Sequence, residues 1–304
     1  MPSFKQQQKS LIIAQAFILS LGAVCTIRGH ATEGGGTVYP VGVENFAAGA
    51  LPPAGFYGML FGQHYRATTL KDNDGNAVPV PFKVTADVIA PRFIWVTNQK
   101  LVGGDLAFHA IVPLVNLDVN VGPRSQTKTG IGDITTGFSI GWHHSPNLHS
   151  LAGIDLFVPT GGYDKNDLAN IGRNYWAAEP LYVLSYIDPN GFNGDIKLGY
   201  IFNRNNKDTN YRSGQEFHFD YALGWGFGNN WTAGASGYYY QQTTSDRQGG
   251  SDTADNKGRA FAIGPSVKYD SGKGWFVTAK WQKELAVRNR PEGSAVWLKA
   301  VFPL

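Results

Sequence analysis

The sequence predicts an all-β protein, a transmembrane antiparallel β-barrel of about 12 strands, with an N-terminal signal peptide. Three observations carry this prediction. Large apolar residues alternate strictly with small or ionisable ones over residues 217–228, the same pattern recurs along the chain, and long and short connections alternate between the repeats. We divide the chain into a signal peptide at 1–31, an irregular segment at 32–54 and an outer-membrane β-barrel at 55–304.

The first residues have the layout of an export signal. Lys5 and Lys9 precede an uncharged run over residues 10–27, and small residues flank His30 at the position that a signal peptidase reads. A spanning helix is the alternative, because the run is close to the shortest length that crosses a bilayer, but its glutamine, serine and glycine residues weaken it. We therefore expect cleavage after Ala31.

Processing changes the charge and removes the only cysteine. The full chain has 26 Lys and Arg against 23 Asp and Glu, and residues 1–31 contain Lys5, Lys9 and Arg28 but no acid. The mature chain therefore has 23 bases and 23 acids, so composition gives no reason to expect nucleic acid as a partner. Cys25 leaves with the signal, which excludes disulfides and cysteine metal sites from the mature protein.

The rest of the chain divides into strands and connections. Residues 32–54 are rich in glycine and proline and are predicted to form an irregular segment, a possible lumen plug. The predicted strands are 55–70, 83–97, 102–120, 130–144, 149–160, 174–187, 192–204, 214–228, 231–244, 258–270, 274–287 and 294–304. Long loops are predicted at 71–82, 121–129, 161–173, 205–213, 245–257 and 288–293. Shorter turns between them are typical of an outer-membrane barrel, whose outer loops are longer than its periplasmic turns.

The alternation also assigns the two faces of each strand. In 217–228, Phe219, Tyr221 and Trp225 occupy one face and Asp220 the other. A Lys or Arg at the lipid midplane costs roughly 2–4 kcal/mol, so ionisable strand residues are expected to face the lumen. They either pair across the lumen and brace the wall or line a permeation path. The candidate lumen residues are Asp87, Asp105, His109, Asp133, Asp155, Glu179, Asp195, Lys197, His218, Asp220, Lys268, Lys280 and Lys299.

Several longer motifs resemble a known family. They lie at residues 49–57, 159–164, 170–176, 209–221, 237–242 and 289–293. These stretches are distributed over nearly the whole mature chain. In them the sequence resembles the outer-membrane transporter-like proteins named for the meta-pathway of phenol degradation. The resemblance implies an outer-membrane β-barrel linked to uptake of aromatic or other hydrophobic small molecules, and it supplies no catalytic residues. The end of the chain departs from most barrels, which close on an aromatic residue, since Phe302 is third from last.

Enzyme and cofactor interpretations find little support. His143, His144 and His149 flank one short turn, but no further ligand follows at zinc spacing. A hydrolase triad could form from Ser236, His218 and Asp220, although triads are recognised by geometry and not by composition. We predict no catalytic residues, no cofactor and no metal site.

The strand pattern, together with what the family resemblance implies, favours an outer-membrane channel for passive uptake of small hydrophobic or aromatic compounds. A general or structural outer-membrane barrel and, less favoured, a barrel enzyme are the alternatives. Aromatic residues in the predicted outer loops are candidates for solute capture, or belong to an interfacial belt; they are Tyr163, Tyr175, Trp176 and Tyr211. The predicted partners are outer-membrane lipid, a small-molecule solute and the barrel-assembly machinery, and the oligomeric state stays open.

Overall fold

The computed structural model describes residues 32–304, and the predicted signal peptide at 1–31 lies outside this range. One 3-10 turn, η1 (Glu33–Gly35), precedes the strands. The strands are β1 (Gly55–Leu70), β2 (Phe82–Leu101), β3 (Gly104–Ile111), β4 (Leu114–Val121), β5 (Arg124–Ile131), β6 (Ile134–His143), β7 (Leu148–Val158), β8 (Ala177–Tyr186), β9 (Phe192–Asn203), β10 (Tyr211–Arg212), β11 (Glu216–Gly226), β12 (Trp231–Gln242), β13 (Arg247–Gln248), β14 (Ser251–Asp252), β15 (Arg259–Asp270), β16 (Phe276–Arg288) and β17 (Pro291–Pro303).

These strands form a closed antiparallel barrel with 12 strand positions, which confirms the predicted fold class. Closure comes from the first and last strands, because β1 pairs with β17 from Tyr57–Pro303 to Leu70–Pro291. Two positions in the wall are each built from two strands in line, β3 with β4 and β5 with β6. The short strands β10, β13 and β14 form a separate small sheet within the loops.

No helix within residues 32–304 has the length and apolar character needed to cross a membrane.

The wall is interrupted between β3 and β4 and between β5 and β6, and one loop predicted beyond these breaks is strand. Pro113 lies between β3 and β4, and Gly132 donates its N–H to the Pro113 carbonyl at 2.8 Å. Proline cannot donate to a neighbouring strand, so the ladder breaks here and resumes beyond it. The long loop predicted at 121–129 is wrong, because β4 and β5 continue as a hairpin around a two-residue turn at 122–123.

The long connections all lie at one end of the barrel. Long loops at 71–81, 159–176, 204–215 and 243–258 share one end, which we call the long-loop end. The long loop predicted at 288–293 is also wrong, since β16 and β17 are joined by a two-residue turn in which Asn289 has a φ of 53°. Asparagine tolerates this left-handed conformation better than most residues. All connections at the opposite end, the short-turn end, are brief.

The two faces of the wall differ in polarity. Large apolar side chains are exposed on the outside, with Leu223 and Trp225 both more than half accessible. Asp220 and Ala222, at even positions of the same strand, are buried on the inside. A continuous exposed apolar surface of this kind needs lipid around it.

Candidate functional site: the barrel lumen

The irregular N-terminal segment runs along the inside of the wall from one end to the other. At the long-loop end, the Thr32 N–H donates to Asp246 at 3.1 Å. Near the short-turn end, the N–H groups of Ala48 and Gly49 donate to Asp195 and Ser185 at 2.9 and 2.8 Å. The segment then enters β1, whose start is also at the short-turn end.

One inward carboxylate holds the middle of this segment. Asp220 accepts hydrogen bonds from the Tyr39 hydroxyl at 2.7 Å, the Gly42 N–H at 2.8 Å and the Glu44 N–H at 3.0 Å. Burial, followed by the neighbouring Asp220 charge, raises the pKa of Tyr39 well above its ordinary value, so Tyr39 stays a neutral donor. The Asp220 side chain is therefore a fixed anchor for the segment.

Inward cations hold the same stretch from the other side. Lys280 donates to the carbonyls of Val43 and Glu44 at 3.1 and 2.8 Å. The Glu44 carboxylate lies 3.3 Å from Lys299 and 3.4 Å from Arg92. Burial raises the pKa of Glu44, but Lys299, Arg92 and further lumen cations together lower it more, and the result lies below the ordinary value. Glu44 is therefore an ionised partner for the wall.

Most of the residues expected in the lumen are buried inside the barrel. These are His109, Asp155, Glu179, Asp195, Lys197, His218, Asp220, Lys268, Lys280 and Lys299. Several form pairs between different strands, as Glu179 does with Lys197 at 3.0 Å and with His218 at 3.1 Å. His109 lies 3.2 Å from Asp155. Pairing of this kind offsets the cost of burying charge.

Three of the expected lumen residues, Asp87, Asp105 and Asp133, are not buried within the barrel. Asp87 lies on the outer face, because its neighbours Ala86 and Val88 line the interior; its side chain is about half exposed, and it pairs with His64 at 2.6 Å. Its lumen assignment is wrong, and the reason is that β2 extends beyond the lipid-facing band, where an outward acid is solvated. Asp105 lies at the short-turn end beside Lys100.

Asp133 lies in the break between β5 and β6 and accepts the N–H groups of Gly161 and Arg173 at 2.9 and 2.7 Å. Burial raises the pKa of Asp133, while these N–H groups oppose the rise. Asp133 thus fixes the loop 159–176 to the wall.

An inner cavity of about 260 Å³ lies between the N-terminal segment and the wall. Its wall side is mainly apolar, with Phe61, Ala90, Ile111 and Phe157 among the lining residues. Polar groups gather at one side of it, where Arg92, Lys197 and Asp155 line the same space. The cavity is therefore amphipathic, as small-molecule sites usually are.

A wider vestibule of about 800 Å³ lies on the long-loop side and shares Thr37, Tyr39 and Arg173 with the inner cavity. The inward residues of β2 and β4 around it are apolar: Phe82, Val84, Ala86, Leu117, Val119 and Val121. The outer face of the same hairpin is polar, with Asp118 pairing with Lys83 at 3.6 Å. This part of the sheet reverses the polarity of the membrane band, so an apolar surface leads inward.

The loop 159–176 folds over both cavities. Tyr163 and Leu168 line the vestibule, whereas Ile171 lines the inner cavity. Gly161 and Gly172 cross so closely that a Cβ added at Gly172 would lie 2.4 Å from the Gly161 carbonyl oxygen. Only glycine permits this approach, which closes the loop on itself.

The four aromatic residues of the predicted outer loops lie in different surroundings. The hydroxyl of Tyr163 donates to Glu33 at 3.1 Å, and that of Tyr211 donates to Asp246. Tyr175 is buried and accepts from Ser213, whereas Trp176 is exposed on the outside. Of these four residues, Tyr163 alone lines the vestibule.

Sequence reasoning missed several ionisable residues of the lumen, among them Arg92 and Glu44. Arg92 lies in a predicted strand, where an ionisable residue should have been assigned to the lumen. Asp87 and Arg92 are five positions apart and fall on opposite faces of one strand, so the two assignments excluded each other. Glu44 gave no local signal, because its partners Lys299 and Arg92 are distant in sequence.

The possible hydrolase triad is not assembled. His218 lies beside Glu179 and stacks on Tyr39 with ring centroids 4.2 Å apart. Within residues 32–304, the Ser236 hydroxyl has no hydrogen-bond partner, and Asp220 bonds the N-terminal segment. A serine that does not contact its base is not activated as a nucleophile.

Comparison with known families gives a match over most of the barrel. The model of the family described as "Putative MetA-pathway of phenol degradation" matches residues 67–300, which is more than half of the chain. The chain belongs to this family. The resemblance seen in the sequence motifs is thereby confirmed. A comparison with curated proteins found no match.

Solved structures support the same fold. An outer membrane channel from Pseudomonas putida F1 is similar with a TM-score of 0.75 and 18% identity, over 85% of this chain and 98% of that one. The transport unit of the autotransporter AIDA-I from Escherichia coli is similar with a TM-score of 0.51 and 8% identity, over 84% of this chain and 92% of that one. Both likenesses are in fold, that of an outer-membrane β-barrel.

Proposed function

We propose that this protein is an outer-membrane channel for passive uptake of small hydrophobic or aromatic compounds, with residues 32–54 as a plug in its lumen. The observation that carries this proposal is the joined pair of cavities, in which an apolar vestibule leads to a smaller amphipathic chamber. The long-loop end is the outer side in this proposal, as is usual for such barrels. The solute therefore meets Val84, Leu117 and Val119 before it reaches the chamber.

The size of the chamber supports a single ring as its occupant. A cavity of about 150 Å³ lined by apolar side chains is enough to bind benzene. The chamber of about 260 Å³ therefore has room for one ring with a small substituent. Arg92 and Lys197 lie on its polar side, where a substituent that accepts hydrogen bonds would be oriented.

The plug accounts for selectivity. The chamber is bounded by Tyr39, Val43 and Glu44, and these residues are held by the wall through hydrogen bonds and ion pairs. A solute passes when this stretch shifts, whereas water and ions are held back while it is seated. No nucleotide or metal is required for this passive step.

The test fills the chamber while leaving the barrel intact. Ala90→Trp adds a large ring beside Phe61 and Phe157, whereas Ile89→Trp puts the same ring on the lipid face of the same strand. Both variants should migrate as folded barrels in heat-modifiable gels. Uptake of radiolabelled benzyl alcohol by intact cells should fall to the level of cells without the channel for Ala90→Trp and stay normal for Ile89→Trp. Equal uptake by both variants would contradict the proposed route.

A further inference from the structure

The buried carboxylate Asp246 collects donors from separate parts of the long-loop end. Its oxygens accept from the Gly214 N–H at 2.6 Å, the Gln242 amide at 2.7 Å, the Asn256 amide at 2.7 Å, the Tyr211 hydroxyl and the Thr32 N–H. Every donor side chain among these is uncharged. Burial raises the pKa of Asp246, and the hydrogen bonds of Tyr211 and Gly214 oppose that rise.

Among residues 32–304, Asp246 has neutral hydrogen-bond donors and no charged partner. Within residues 32–304, none of the ion pairs formed by lysine, arginine or histidine involves Asp246. A buried carboxylate is costly without a cation, and well-placed neutral donors offset only part of that cost. Of the contacts that Asp246 makes within residues 32–304, the one with the Thr32 nitrogen is the contact that processing converts into a cation.

The backbone at Thr32 gives independent support. Thr32 has φ 61° and ψ 155°, a combination that a β-branched residue rarely adopts. The angle φ is defined by the carbonyl carbon of the preceding residue. A threonine that begins the chain has no such carbon, so the strained angle ceases to exist once the preceding peptide bond is hydrolysed.

We propose that Asp246 is a binding site for the protein's own processed amino terminus. Signal peptidase adds water across the Ala31–Thr32 bond, which releases the Ala31 carboxylate and leaves Thr32 with an α-amine. This amine is protonated at neutral pH, since free α-amines have a pKa near 8. The ammonium forms a buried ion pair with Asp246 and fixes the outer end of the plug. The proposal rests on cleavage after Ala31 and not on the identity of the solute.

The contacts beside Thr32 explain why this anchor controls the whole plug. The Glu33 N–H donates to Ser213 at 3.0 Å, and its carboxylate accepts from Thr209 at 2.7 Å and Asn206 at 2.8 Å. Arg173 donates to the Glu33 carbonyl at 3.2 Å. The amino terminus thus joins three long loops to the segment inside the lumen.

The first measurement is N-terminal sequencing and α-amine reactivity of the protein from outer membranes. The mature chain should begin at Thr32, and its α-amine should react slowly with an amine-acylating reagent in the folded wild type. The reaction should be fast in Asp246→Asn and slow in the control Asp252→Asn, an exposed acid in the same loop that pairs with Arg247. A different first residue, or equal rates in wild type and Asp246→Asn, would overturn the proposal.

The second measurement asks whether the amine holds the plug. Because Cys25 is the only cysteine of the chain, Val38→Cys gives the mature protein a single thiol beside the inner cavity. The mature chain is refolded with Thr32 free or Nα-acetylated, with and without Asp246→Asn. Acetylation should speed maleimide labelling of the thiol in the wild-type background and add nothing in Asp246→Asn. Additive effects, or no effect of acetylation, would overturn the proposal. If Asp246→Asn does not fold, the acetylated wild-type chain alone decides. Failure of solute uptake alone would leave these results unchanged.

Discussion

Two adjacent residues of β11, Phe219 and Asp220, face opposite sides of the barrel wall. Phe219 faces outward and stacks on Tyr239 with ring centroids 5.6 Å apart. Asp220 faces inward and accepts three donors from the N-terminal segment. The two side chains belong to different environments although one peptide bond joins their residues, because successive strand residues point to opposite faces.

Phe219→Arg is expected to damage assembly far more than Asp220→Asn. An arginine on the lipid face costs roughly 2–4 kcal/mol near the midplane, whereas asparagine keeps the size of Asp220. Asp220→Asn should fold and conduct more than wild type, because its amide cannot accept all three donors and the plug loosens. Heat-modifiable gels measure folding, and planar-bilayer conductance measures opening. Normal folding of Phe219→Arg would show that the lipid face has been assigned wrongly.

At the scale of elements, the N-terminal segment depends on strands that are far from it in sequence. Its contacts include Glu44 with Lys299 of β17 and Ala48 with Asp195 of β9. Each contact alone is modest, but the segment is fixed because both its backbone and its charges are satisfied at once. Strands β2 and β4 add the apolar side of the vestibule by extending beyond the membrane band.

Acid is expected to release the segment through Glu44. The pKa of Glu44 in the seated state lies below its ordinary value, which is about 4.3. The ionised carboxylate therefore stabilises the seated state fully above that value, and this contribution is lost as the pH falls through the lower pKa of the seated state. Conductance of the wild type should rise on acidification in this window.

Glu44→Gln separates the contribution of the Glu44 carboxylate from those of Asp220 and Asp195, which hold the same segment. The variant should conduct more than wild type at neutral pH and gain less on acidification. Glu292→Gln is the control, since Glu292 pairs with Lys71 and does not line the plug. Identical pH profiles for wild type and Glu44→Gln in planar bilayers would contradict the role of Glu44.

At the scale of the whole molecule, the sorted loops give the barrel a direction. Both ends of the barrel chain, Gly55 and Pro303, lie at the short-turn end. The loops that bind Thr32 and Glu33 lie at the opposite end. The segment therefore spans the lumen, and its amino terminus is on the side that we assign to the cell exterior.

Epitope tags test this orientation without disturbing packing. A tag between Gly249 and Gly250 and another at Gly272 occupy positions where an added side chain meets nothing within 4 Å. Antibody should bind intact cells through the first tag alone, and both tags should be detected after the outer membrane is opened. Surface detection of the Gly272 tag on intact cells would show that the barrel has the opposite orientation.

The sequence by itself determined the barrel, its strand number and most inward residues, since alternation is a local property that each strand expresses alone. Residues such as Asp155, Lys197 and Lys280 could be assigned to the interior in this way. Tertiary structure alone decided where the wall breaks at Pro113, why Asp87 lies outside, and which strands hold Glu44. The physical reason is that these features depend on how far a strand projects beyond lipid and on contacts made only after closure. Local periodicity carries neither kind of information.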